Sequence, residues 1–389
     1  MFQQATLTLI GLILLIALVF GQSGLALICA LLLVTAGVAW LWSRWSLVRV
    51  GYERSLSQQR AFPGDELELK IRIINRKLLP LASLEIFDGL PAKLQLEGKI
   101  LAGGPRRGGA LHRRTSLRWY ESVVWRYRVR PQARGAYRIG PVQLRSGDPF
   151  GLYTSDGEHE LYSTLLVYPQ PLPLAELGLP ARNPIGDVRA SALLRDPMRV
   201  IGVRDYAPSD PLKDVHWGAT ARTGTLQSRV YEPTTSRVLT IFLDLDTFEY
   251  YYEGIDPELV ERMISATATV AQLGLNTGQA VGLYVNGAPA EHEHLARLPA
   301  GRSPAQLSLI METLARLTAY SVTPIARLLR LSTSELHPGA TVLLISAVNS
   351  SANRAALLRL RDPGYQVAWL YMGQGATPQV PGVHVYRAG

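Results

Sequence analysis

No Asp, Glu, Lys or Arg occurs before Arg44. Inside that uncharged leader two apolar runs, "ATLTLIGLILLIALVF" from Ala5 and "GLALICALLLVTAGVAWLW" from Gly24, are separated only by Gly21, Gln22 and Ser23. An apolar helix of ~20 residues matches the hydrocarbon thickness of a bilayer. A cleaved signal sequence would need a positive start and one short apolar region; this start has no charge, and the second run directly follows the first. The runs therefore predict a transmembrane helical hairpin over residues 1–45. Two crossings return the chain to its starting side. Arg44, Arg49 and Arg54 follow the second run, and Trp40, Trp42 and Trp45 stand at its end. By the positive-inside bias, the remainder is expected in the cytoplasm, anchored to the inner or plasma membrane.

The charge that follows is unevenly placed. Residues 44–170 carry 21 Lys and Arg against 12 Asp and Glu, the whole excess of +9, whereas residues 171–389 carry 19 of each. A basic segment beside a membrane anchor is attracted to anionic headgroups, so the lipid membrane is one expected partner. Nucleic acid is the other usual partner of such charge, but no recognition motif accompanies it, and none is expected here. Cys29 is the only cysteine and lies in the second apolar run. No disulfide or thiolate metal site can form within one chain.

Beyond the leader the hydrophobic period becomes two. "ELELKIRIIN" sets Leu67, Leu69, Ile71 and Ile73 against Glu66, Glu68, Lys70 and Arg72, and "WRYRVR" sets Trp125, Tyr127 and Val129 against Arg126, Arg128 and Arg130. Short half-buried strands with turn signals between them predict an antiparallel β-sandwich over residues 46–171. A proline-rich linker leads into a polar segment, residues 172–235. From 236 to 389 apolar β-branched runs alternate with amphipathic helices, which predicts a doubly wound α/β domain. Asp256 with Pro257 starts one helix and Gly274 ends it. Ser303 and Gln306 have capping-box spacing at the next. Ligands gather at the carboxyl ends of strands in such sheets, where Asp244, Asp246, Asn286 and Ser346 fall.

One polar stretch, "VRDYAPSDPLKDVHWGATARTG" (Val203 to Gly224), is dense enough in ionisable groups for catalysis. Asp210 before Pro211 predicts a helix start, with Leu212, Val215 and Ala219 facing inward. Arg204, Asp205, Asp214, His216 and Arg222 remain. His216 with Asp205 or Asp214 could pair a base with an orienting carboxylate, the basis of a hydrolase reading, but no Ser or Cys sits in a nucleophile setting. The set instead predicts an Arg–Asp pairing network that seats one domain on another. Elsewhere, "GGPRRGGALHRR" lacks a phosphate-loop ending, "EHEH" (Glu291 to His294) suits a solvated loop, and "EYYYEG" suits either a contact patch or a cover over the first α/β helix.

The same stretch resembles the signature of the DUF58 family, carried here by Arg204, Asp205, Tyr206, Asp210, Trp217, Ala221, Arg222, Thr223 and Gly224. "RGAYRIGPVQLRSGDPFGLY" is similar to the family's second hallmark, at Arg134, Gly135, Tyr137, Asp148, Pro149, Phe150 and Gly151. The resemblance implies that residues 236–389 form a von Willebrand factor A-like domain. It also implies a place in membrane-associated systems that include MoxR-type AAA+ ATPases and transglutaminase-like proteins, with roles in complex assembly and no established reaction. Such domains often hold Mg²⁺ through an Asp-x-Ser-x-Ser motif. Here Asp244 and Asp246 stand at that motif, but Phe248 replaces its last hydroxyl and "LLISAVN" lacks a later Asp, so the implied metal site is degenerate and no cofactor is expected. The expectation is a membrane-anchored, non-enzymatic scaffold or assembly factor that binds partner proteins. The alternative is a divalent-cation-dependent protein-binding module using Asp244 and Asp246.

Overall fold

The computed structural model describes residues 2–91, 93–96, 102–103, 109–179, 194–208, 210–234, 238–290, 294–362 and 365–388. It divides into two units, Met1–Tyr168 and Pro169–Gly389.

In the first unit, helices α1 (Phe2–Val19) and α2 (Ser23–Ser46) pack against each other. Gly21 sits between them at φ 64°, a backbone region that glycine enters without penalty. By length and composition α2 is long and apolar enough to cross a membrane, while the apolar part of α1, Ala5–Val19, is shorter. Small residues of α2 are buried, among them Cys29, Ala36, Ala39 and Ser43. Its large ones, such as Leu27, Leu31 and Val34, are exposed. Small residues between helices and large apolar ones outside is how helices associate in lipid.

A helix end leaves carbonyls without intrahelical partners, and a cation there also suits the helix dipole. Lys77 fills that role for α2. Its Nζ donates to the carbonyls of Trp45 and Val48, each at 2.8 Å, and to that of Ser46.

The strands then form a β-sandwich. Val50–Leu56, Leu67–Asn75, Ser122–Pro131 and Leu94–Leu96 make one antiparallel sheet in that order. Thr154–His159, Val142–Gly147, Leu81–Leu90, Gly109–Leu117 and Ala102–Gly103 make a second. A short third sheet joins Arg60–Ala61, Ser163–Val167 and Gly135–Ile139. The period-two pattern is realised in three dimensions: Leu67, Leu69, Ile71 and Ile73 are buried in one core with Leu84, Ile86 and Leu144 of the second sheet. Arg126, Arg128 and Arg130 point to solvent.

Through that core runs one ion pair. Arg54 pairs with Asp88, both side chains wholly buried. Asp88 also accepts from the Tyr52 hydroxyl at 2.6 Å. Arg54 donates further to the carbonyls of Ile139 (2.9 Å) and Leu161 (2.8 Å) and to Ser163 Oγ (3.2 Å). One guanidinium thus ties all three sheets.

In the second unit, Leu194–Asp205 and Gln227–Thr234 pair antiparallel, with α3 (Trp217–Thr223) between them. A six-stranded sheet follows, in the order Arg297–Gly301, Ala280–Val285, Val238–Leu243, Thr341–Ser346, Gln366–Tyr371, His384–Arg387. Its first pairing is antiparallel and the other four are parallel. Helices α4 (Pro257–Asn276) and α5 (Pro304–Arg316) lie together, with α4 against the sheet. On the opposite face α6 (Ile325–Ser332) and α7 (Ser351–Arg361) bury Leu328, Leu329 and Leu357 against Phe242, Leu344 and Trp369.

Helix ends differ from expectation in three places. Asp256 caps α4, accepting from the amides of Glu258 (3.0 Å) and Leu259 (3.2 Å). Gly274 does not end it: α4 continues to Asn276, and Gly278 takes the left-handed turn at φ 78°. Gly274 is needed for close approach, since a Cβ there would stand 2.8 Å from Val281 Cγ2. At α5 the capping box is not made. Ser303 occupies the cap without a side-chain bond, and buried Gln306 donates instead to the carbonyls of Val281 (2.8 Å) and Pro299 (2.9 Å). The helix expected from Pro211 begins only at Trp217, and Leu212, expected inside, is exposed. Residues 104–108, 180–193 and 291–293, which include most of the glycine-rich tip, much of the linker and most of "EHEH", lie outside the described residues.

Removing one partner of a buried ion pair strands the other charge, at a cost of about 3–5 kcal/mol. Arg54→Met is expected to lower the sandwich's melting transition sharply in the full chain, followed by circular dichroism. An unchanged transition would show that the pair does not hold the sheets.

Candidate functional site

Parallel strands finish on the same side of a sheet, so the residues after Leu243, Val285 and Ile345 are brought together. The Asp244 amide extends the ladder to Ile345 O (2.9 Å), and the Asn286 amide to Leu243 O (3.2 Å). The side chains then close a polar cluster. Asn286 Oδ1 accepts from the Leu245 amide at 2.8 Å, which turns its Nδ2 toward the carboxylates. That Nδ2 donates to Asp244 Oδ1 at 2.7 Å and to Asp246 Oδ2 at 3.2 Å. Ser346 Oγ donates to Asp244 Oδ2 at 2.8 Å, and Ser321 Oγ donates to Asp246 Oδ1. Asp244, Asp246, Asn286 and Ser346, named from strand ends alone, thus form one network. Ser321 was not anticipated, because it ends the short strand Leu317–Ser321, far along the chain.

Asp244 is fully buried, and burial, reinforced by the charge of Asp246, pushes its carboxyl well above the usual carboxylate range. The donor set is two carboxylates and two hydroxyls, oxygen chemistry that suits a hard cation. As arranged, however, the Asn286 amide protons stand between the carboxylates, where a cation would have to sit.

Beside this cluster opens a cleft of about 800 Å³ lined by Asp246, Thr247, Phe248, Glu249, Tyr250, Ser321 and neighbouring residues. Among the described residues its lining holds two carboxylates and no lysine or arginine. Phe248, Tyr250, Tyr320 and Val322 are exposed around it. Tyr250 stacks on Tyr252 with ring centroids 5.3 Å apart. Both side chains are mostly exposed.

The Val203–Gly224 stretch forms a separate arrangement. Arg204 Nη2 donates to Asp210 Oδ1 at 2.6 Å, with Asp210 buried and Arg204 half exposed. Asp210 Oδ2 accepts from the Ala207 amide at 3.1 Å, which closes a local loop. Asp210 is therefore not a helix cap. His216 caps α3 through Nδ1, accepting from the Ala219 amide at 3.0 Å. Asp205 Oδ1 accepts from Gln227 Nε2 at 2.6 Å. His216 Nδ1 and Asp205 each serve a neighbour of their own, so these bonds do not join that pair; Asp214, the other carboxylate considered from sequence, is buried. Tyr206 is half-buried, and Trp217 and Arg222 are exposed. In the first unit, the second hallmark forms a turn: Asp148 accepts from the amides of Phe150 (2.6 Å), Leu152 (3.3 Å) and Tyr153 (2.6 Å). Tyr137 there donates to Ala133 O at 2.6 Å.

Because folded Asp244 keeps its proton at pH values where the unfolded chain releases it, stability falls as pH rises beyond the ordinary carboxylate range. Asp244→Asn is expected to remove that slope, so that the variant's advantage in melting temperature grows with pH. A constant difference across pH would contradict the raised pKa.

Comparison with known proteins places these residues in one region. An uncharacterized protein of Bacillus subtilis (strain 168), YeaD, is 26% identical over 239 residues, 59% of this chain and 54% of the relative. The match thus spans about half of that relative's length. Among solved structures, the GAE domain of GGA2p from Saccharomyces cerevisiae aligns at 9% identity over 30% of this chain and 89% of its own, TM-score 0.21. Spo0M, a sporulation control protein from Bacillus subtilis, aligns at 9% identity over 31% and 50%, TM-score 0.18. Neither likeness carries an argument about fold or function. Residues 202–355, which hold both the Arg204–Gly224 stretch and the strand-end cluster, match DUF58, a family described as of unknown function.

Proposed function

We propose that this chain is a membrane-anchored, non-enzymatic scaffold or assembly factor. Its second unit, von Willebrand A-like in this reading, engages partner proteins at the carboxyl ends of the parallel strands. The observation that carries the proposal is the ring of exposed Phe248, Tyr250, Tyr320 and Val322 around a cleft whose polar floor is already bonded. Exposed aromatics around a concavity are the composition of protein-binding surfaces. The Ser321 and Ser346 hydroxyls spend their protons on carboxylates, which fits a rigid floor better than a nucleophile. Helix α2 supplies the anchor, with α1 returning the chain as the first arm of a hairpin and both units on the cytoplasmic side of the inner or plasma membrane. The DUF58 resemblance makes a MoxR-type AAA+ ATPase the first partner to test.

A second reading keeps the same surface and adds a divalent cation at Asp244 and Asp246. Its support is the pairing of buried Asp244 with half-buried Asp246, two carboxyl groups whose joint ionisation a cation would favour. Against it, the Asn286 amide already bonds both carboxyl groups from the place a cation would take. Titration calorimetry of the full chain with Mg²⁺, Mn²⁺ and Ca²⁺ separates the two: heat that disappears in Asp246→Asn favours the cation, and its absence favours the amide.

The scaffold reading is tested by affinity capture from native membranes. Phe248→Asp with Tyr320→Asp is expected to reduce capture of the specific partner by about tenfold, a loss of ~1.4 kcal/mol, without moving the melting transition. Equal capture would overturn the assignment of this surface. Substrate turnover by the full chain that vanishes in His216→Ala would overturn the non-enzymatic reading.

A further inference from the structure

Strand register places three connections of the sandwich at the end where α2 enters it. Val50, the first strand residue after α2, pairs with Asn75, and Ile74 pairs with Ser122. Leu81 pairs with Leu117, Ser83 with Gly147, and Gly147 with Thr154. The connections 76–80, 118–121 and 148–153 therefore emerge together. The first two are knitted to the helix end. Lys77 holds the carbonyls of Trp45, Ser46 and Val48, and the Arg76 amide donates to Arg49 O at 3.1 Å. The Tyr120 amide donates to Lys77 O at 3.3 Å, and Asn75 Nδ2 donates to Leu79 O (2.9 Å) and Arg118 O (2.8 Å).

These connections carry the sandwich's most exposed bulky apolar side chains. Leu78 is 71% exposed, Tyr120 65%, Trp119 64% and Phe150 59%; among the described residues from Val50 to Tyr168, no other large apolar side chain exceeds one half. A water-facing tip has no use for them. Beside them Arg44, Arg49, Arg76 and Arg118 are exposed, of which Arg76 also reaches Glu53 at 3.4 Å. The acids within these connections are turned onto backbone amides, Glu121 onto that of Arg118 (2.6 Å) and Asp148 onto those of Phe150, Leu152 and Tyr153. Trp, Tyr and Arg gathered where an apolar helix ends is the composition of a bilayer interface, aromatic rings at headgroup depth and cations at the phosphates.

We propose that this end of the sandwich is a second membrane contact, with Leu78, Trp119, Tyr120 and Phe150 seated in the headgroup region of the leaflet from which α2 emerges. It rests on the reading of α2 as a membrane anchor and goes beyond it. The sandwich is then not tethered on a free stalk but held against an anionic lipid surface in one orientation, since Lys77 fixes its loops to the helix.

The full chain, in a Cys29→Ser background, is labelled with an environment-sensitive fluorophore at Leu78→Cys, Phe150→Cys, Glu160→Cys or Leu32→Cys. It is then reconstituted in phosphatidylcholine vesicles with and without phosphatidylglycerol, carrying a nitroxide on the headgroup or in the acyl chain. Glu160 is exposed at the opposite end of the sandwich, after His159, which pairs with Val142. Headgroup nitroxide is expected to quench positions 78 and 150 roughly threefold more than position 160, more strongly with the anionic lipid, and less at 78 after Trp119→Ser with Tyr120→Ser. If Leu32→Cys is quenched from the acyl chain while 78 and 150 behave like 160, the anchor stands and the second contact is wrong. If Leu32→Cys is itself unquenched, the anchor reading fails and this inference with it. Photo-crosslinks from position 78 into protein in native membranes, without lipid quenching, would make the tip a protein-docking surface and overturn the lipid assignment.

Discussion

Everything in the first unit turns on how α2 ends. The last carbonyls of a helix have no intrahelical partners, and at the end of α2 the Ser46 hydroxyl supplies only that of Ser43 (2.8 Å). Lys77 reaches across from the connection between two strands and satisfies the carbonyls of Trp45, Ser46 and Val48 with a single ammonium. That one contact joins two kinds of material. On one side are helices with greasy outer faces and small inner residues, and on the other a sandwich with arginine-rich outer faces. The sandwich is in turn locked by Arg54 and Asp88, whose bonds cross all three of its sheets.

The second unit uses its charge in the opposite manner. Instead of a cation tying elements together, an amide does so: Asn286, fixed by the Leu245 backbone, donates to both Asp244 and Asp246. A buried carboxylate pair is costly unless something positive or proton-bearing lies between its members. Here Asp244 retains its own proton and the Asn286 amide bonds both carboxyl groups, which leaves the adjoining cleft with an acidic floor and an aromatic rim.

Much of this arrangement was legible in the sequence where it depends on local periodicity. The alternation at Leu67–Ile73 shows its buried face because a half-covered strand has only two sides, and the strand-end residues Asp244, Asp246, Asn286 and Ser346 follow from the order of apolar runs. What was not legible depends on partners distant in the chain. Asp210 before Pro211 has the form of a helix start, yet Pro211 is extended at ψ 138° and Arg204 takes the carboxylate, so His216 becomes the cap. Gly274 has the form of a terminator, but its use is to let Val281 approach. Ser321 joins the cluster from the end of a short strand that no spacing rule links to Asp246. The exposed Leu78, Trp119 and Phe150 are separated by tens of residues and meet only through strand register.

The proposed anchoring by α2, with α1, would hold both units on the inner side of a membrane. Its most direct test is labelling of a cysteine-tagged carboxyl terminus with a membrane-impermeant reagent, in intact and then permeabilised cells, together with the apparent length of the membrane-bound chain. A full-length product is expected to stay in the membrane fraction and to be labelled only after permeabilisation. Labelling in intact cells, or recovery of a shortened chain in the soluble fraction, would contradict it.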